Sequence, residues 1–96
     1  MGFIDKLRNR WHQAGSLLCV GLDPDPAKFP DAFVDDDDAL FAFCRDIVDS
    51  TAQFACAFKP QVAYFAAHND GEAQLQRLIA HINGAHPDIP VVLDAK

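Results

Sequence analysis

The chain has 96 residues, half of them hydrophobic and 23% charged, with a formal net charge of −6. That length holds one small domain at most, and the negative balance argues against a nucleic-acid surface, which needs clustered Lys and Arg. No apolar run approaches the ~20 residues of a membrane span, and Asp5, Lys6, Arg8 and Arg10 interrupt any signal-peptide pattern. Neither nucleic acid nor membrane is expected as a partner, and the expected location is the cytoplasm.

Residues 2 to 13 place Phe3, Ile4, Leu7 and Trp11 at helical spacing, with Gly15 as the stop. Residues 16–22 form an apolar run of strand length that ends in Asp23-Pro24-Asp25-Pro26, whose prolines force a loop. The acidic run Asp35 to Asp38 fits a helix start, where carboxylates are favoured. The helix that follows, over about residues 37 to 54, carries Phe41, Cys44, Ile47, Val48, Thr51 and Phe54 on one stripe. Residues 55–59 read as a second buried strand closed by Pro60, and Val62 to Ala67 as a short helical turn. Asn69 or Asp70 caps a further helix with Leu75, Leu78, Ile79 and Ile82 on one face, ended by Gly84 and Pro87. Residues 90–96 form a third β-branched strand. Strands that are apolar throughout and alternate with amphipathic helices predict an α/β fold with a helix-covered parallel sheet.

Cys19, Cys44 and Cys56 have no metal-ligand spacing and sit in apolar stretches, which fits reduced core residues. His12, His68, His81 and His86 are spread over helices and loops and read as surface positions rather than ligands. Gly21 reads as a tight-packing position, because no GxGxxG accompanies it. Gln61 and Tyr64 follow the second strand; Gln61 could line a site there, and Tyr64 could equally belong to the core.

The informative residues are those that interrupt the strands. Asp23 lies just past the first, Lys59 ends the second, and Asp94 and Lys96 end the third. In a parallel sheet these ends share one edge, where β/α folds build their sites. Asp94 and Lys96 are two apart and project from the same strand face. A carboxylate beside a lysine keeps it cationic, and a cationic lysine so placed can stabilise a carbanion and then protonate it.

The runs Val20-Gly21-Leu22-Asp23, Phe58-Lys59-Pro60-Gln61-Val62-Ala63-Tyr64-Phe65 and Leu93-Asp94-Ala95-Lys96 resemble the orotidine 5′-phosphate decarboxylases, in particular their longer bacterial branch. The resemblance spans essentially the whole chain in order and spacing. It implies a homodimeric (β/α)8 barrel and a carboxy-lyase that converts orotidine monophosphate to uridine monophosphate in pyrimidine synthesis. It further implies a small-molecule substrate and neither metal nor organic cofactor. Lys96 is then the lysine that protonates C6, Asp94 lies against the substrate carboxylate, Lys59 joins that network and reaches a ribose hydroxyl, and Asp23 binds the ribose. A barrel takes ~250 residues, so residues 1–96 would be the N-terminal part of one barrel domain, with three strands, inactive alone and poorly folded. The family's Arg-Gly-Asp-type run after the lysine, and its phosphate-binding loops, would lie beyond Lys96.

Three other readings remain. A sister barrel enzyme, such as a hexulose-phosphate synthase or a sugar-acid phosphate decarboxylase, shares Asp-x-Lys at the third strand. A Schiff-base lysine is a second, although flanking carboxylates oppose the low lysine pKa it requires. A flavodoxin-like phosphoacceptor receiver domain is a third.

Overall fold

The computed structural model describes residues 2–15, 18–29 and 38–95. Helix α1 spans Phe3–Ala14 and stops at Gly15, whose φ of 62° is the left-handed conformation glycine tolerates and whose N–H bonds the Trp11 carbonyl. Its expected apolar stripe does not enter the core: no α1 residue is buried, and Phe3, Ile4 and Trp11 remain exposed. The helix is tied down through Arg10 instead, whose guanidinium donates to the carbonyls of Ala52 and Ala55 at 2.6 and 2.9 Å.

Strand β1, Cys19–Leu22, and strand β2, Ala57–Pro60, pair in parallel with Cys19 opposite Ala57 and Leu22 opposite Pro60. Helix α2, Ala39–Thr51, lies between them in the chain. Asp38 precedes it without a capping bond from its side chain and pairs with Arg77 at 2.9 Å; Asp35 to Asp37 lie outside the described residues. After β2 come the short α3, Val62–Ala66, and the longer α4, Gly71–Ala85, which runs through Gly84 and ends just before Pro87. Gly71 is required by close approach, since a Cβ there would collide with the Phe65 carbonyl group.

The chain then returns along the free side of β2. Instead of a full third strand, two parallel bridges form, Phe58 with Val91 and Gln61 with Asp94. The reason is Pro60. Val92 donates to the Phe58 carbonyl at 2.8 Å and Asp94 to the Pro60 carbonyl at 3.0 Å, but the bond that would return to the Val92 carbonyl needs an N–H at position 60, and proline has none. Pro60 is thus the last residue of β2 rather than a residue beyond it, tolerated because its missing donor does not face β1.

The sheet order is β1, β2, then residues 90–94, so β2 is central. A flavodoxin-like sheet puts its first strand between the second and third, and this order excludes the receiver-domain reading. The core lies on one side of the sheet, where Leu22 and Phe58 pack with Cys44, Val48, Phe65, Leu78 and Ile82, all fully buried. Gln74 is the buried polar residue among them. Its Oε1 accepts from the Phe41 N–H at 2.9 Å and its Nε2 donates to Asp70 at 2.9 Å. It thereby satisfies one of the unpaired donors in the first turn of α2 from across the helix interface. Phe54, expected on the α2 stripe, lies past the helix end and is exposed.

Candidate active site

Alternation along the strands decides which side chains share a face. Leu22, Phe58 and Pro60 face the helices and are buried, so Gly21 and Lys59, which are register partners, face the other way and are exposed. One further step in that register sets Asp23 opposite Gln61, and Gln61 is bridged to Asp94. The C-terminal edge of the sheet thus carries a row of Asp23, Gln61 and Asp94 on the open face, with Gly21, Lys59 and Val92 one row behind it. Neighbouring strands stand about 4.8 Å apart, so the two aspartates are anchored roughly 10 Å from each other. That is too far to share a proton and wide enough to admit a ring between them.

Three of the four expected site residues are therefore brought together. Lys96 lies outside the described residues. Lys59 forms no ion pair with either aspartate among the described residues, so the expected lysine–carboxylate pairing is not seen at this position. The charge of Asp23 is nevertheless felt nearby: the Cys44 thiol is pushed up to about 12, chiefly by burial and then by Asp23.

Gln61 joins the row between the two aspartates. It occupies the middle of the row, half-buried, and its signal was the two-residue step from Lys59. Tyr64 is exposed rather than core. Gly21 is not tightly packed, since a Cβ there would make only ordinary contact with Asp23 at 3.8 Å. Cys44 and Cys56 are buried as expected, whereas Cys19 is exposed on the open face. The histidines also divide. His12 and His68 are exposed, but His81 and His86 are half-buried and converge on Asp49. Partial burial acts to raise the Asp49 carboxyl, but hydrogen bonds from His86 and His81 outweigh it and hold the group below its ordinary value.

Among the described residues no helix is long and apolar enough to cross a membrane. No protein-family model matches the chain. It is 60% identical along all 96 residues to an orotidine 5′-phosphate decarboxylase of Dechloromonas aromatica, and 58% identical to one of Bordetella pertussis. The chain spans 35% of the length of each of these relatives. Among solved structures, an orotidine-monophosphate decarboxylase from Toxoplasma gondii matches with a TM-score of 0.86 and 37% identity, over 99% of this chain and 31% of that one. The sheet order and the open-face row agree with the beginning of such a barrel, and in sequence and fold together these 96 residues are similar along their whole length to part of the orotidine 5′-phosphate decarboxylases.

Proposed function

We propose that the protein to which these residues belong decarboxylates orotidine 5′-phosphate to uridine 5′-phosphate, as a cytoplasmic homodimer without metal or organic cofactor in the reaction. The observation that carries this reading is the row of Asp23, Gln61 and Asp94 at the C-terminal edge of a parallel sheet, with Lys59 behind it on the same face. That edge is where (β/α)8 barrels place their chemistry. In a closed barrel the helix-covered face points outward, so the open face seen here becomes the interior.

Each residue then has a role. The bond from C6 to the carboxylate breaks, carbon dioxide leaves, and the electron pair stays on C6. Lys96, two residues beyond Asp94 in the sequence, stabilises that carbanion as an ammonium group and gives it a proton. Asp94 lies against the departing carboxylate and holds Lys96 charged. Lys59 joins this charge network and reaches a ribose hydroxyl, and Asp23 accepts from the ribose. The separation of the two aspartates suits this division, one at the sugar and the other at the base. Residues 1–96 form the first part of a single barrel domain in this reading.

The test is turnover of orotidine monophosphate by the full-length protein, followed by the loss of ultraviolet absorbance on decarboxylation. Lys96→Ala is expected to abolish it while leaving the fold intact by circular dichroism. Asp23→Asn is expected to act mainly on KM. A folded Lys96→Ala protein that turns over at the parent rate overturns the assignment.

A further inference from the structure

We propose that Asp49, His81 and His86 form a binding site for a divalent transition-metal ion of the zinc type, fastening the C-terminal end of α2 to that of α4. Asp49 lies in the last turn of α2, His81 near the end of α4, and His86 is the residue that ends α4. Parallel packing of α2 and α4, also seen in the Phe41–Gln74 bond between their N-terminal ends, brings them together although they span 38 positions of sequence. The Nε2 atoms of His81 and His86 each lie 2.8 Å from the same oxygen of Asp49, and the three candidate ligand atoms are within 4.8 Å of one another.

Two imidazoles and one carboxylate are a ligand set suited to zinc, with the fourth position left to solvent. Zinc–nitrogen and zinc–oxygen bonds of about 2.0–2.1 Å in a tetrahedron separate neighbouring ligand atoms by roughly 3.3 Å. The present contacts need to open by only about half an ångström, which side-chain torsions supply. Without metal, each Nε2 must carry the ring proton, because a carboxylate oxygen only accepts; metal binding moves that proton to Nδ1 or releases it. Asp49 and His86 also line an open pocket of about 570 Å³, which gives an ion and its water a way in. The negative end of the α4 dipole falls here, and no basic residue in its last turn offsets it. Arg10 lines the same pocket with its guanidinium committed to two carbonyls.

The site lies at the opposite end of the sheet from the row of Asp23, Gln61 and Asp94, because helix C-termini meet the strand N-termini in a β/α unit. It stands independently of the proposed decarboxylation.

The experiment uses the full-length protein without an affinity tag, stripped with a chelator and titrated calorimetrically with zinc chloride. The expected result is a saturable site that a His81→Gln/His86→Gln variant weakens at least about a hundredfold, since losing groups that merely support a ligand already costs 10–100-fold. Zinc should also raise the melting temperature of the parent and not of the variant. Because the variant could be perturbed for other reasons, the imidazole nitrogen resonances of the unsubstituted protein are followed too. The Nε2 signals of His81 and His86 should shift to metal-bound positions. Unchanged resonances at saturating zinc, or a folded double variant that binds with the parent's affinity and stoichiometry, overturn the site.

Discussion

Gly71→Ala adds one methyl group at the start of α4, where the backbone of α3 already fills the space. The added carbon would stand 2.5 Å from the Phe65 carbonyl carbon and 3.1 Å from its Cα, and the carbonyl oxygen would be closer still. Ordinary contact begins at 3.4 Å, so Phe65 has to withdraw by about 1 Å or more. It cannot do so freely, because its ring is fully buried in the core. Overpacking of this kind costs about 1–3 kcal/mol, and the better helix propensity of alanine returns at most about 1 kcal/mol. A net loss of about 1–2 kcal/mol is expected. Gly84→Ala is the same change in the same helix with the opposite sign: nothing lies within 4 Å of its added carbon, so about 0.5–1 kcal/mol should be gained. Denaturant unfolding of the full-length variants measures both, with melting temperatures moving by about 2–4 °C per kcal/mol in a protein of this class. If Gly71→Ala is as stable as the parent, α3 and α4 do not meet as described, and the path from β2 into α4 is wrong.

The thiols supply a chemical and a pH test. An aromatic disulfide reagent should reach Cys44 and Cys56 of the native protein only on unfolding, since these two are buried. Cys44 is raised from 9.0 to about 12 in the folded chain. It contributes stability that is complete below pH 9 and is lost as pH climbs toward 12, by at most about 1.4 kcal/mol per pH unit. Alkaline unfolding should therefore be steeper for the parent than for Cys44→Ala, and equal slopes refute the burial of this thiol. Phe58→Ala, at the centre of the sheet, should cost about 3–5 kcal/mol by equilibrium unfolding.

Local rules made most of the elements legible. The helical spacing before Gly15, the apolar run ending at Asp23 and the stripe of α4 all depend on neighbours within one turn or two residues, and they appear where expected. What depended on partners far along the chain was less legible. The stripe of α1 could be read, but not that it would remain outside this core with Arg10 as its tether. The third strand had the right composition, and Pro60 still broke its ladder because the missing donor belongs to the neighbouring segment. His81 and His86 show the same limit, since their spacing carries no ligand signal until α2 brings Asp49 between them.

The site is the instructive intermediate case. That Asp23, Lys59 and Asp94 meet at one edge follows from parallel strands alone, but which of them stand abreast depends on register. Register is fixed by the buried alternation: only with Leu22 opposite Pro60 and Phe58 opposite Val91 do the core residues all face the helices. A slip of one residue in either pairing would turn a buried side chain to the open face and a charged one into the core. The apolar residues that have no part in catalysis therefore determine that Asp23, Gln61 and Asp94 form one row with Lys59 behind it. Substitutions on the helix-facing side should then perturb the site through register, even where no altered atom touches a ligand.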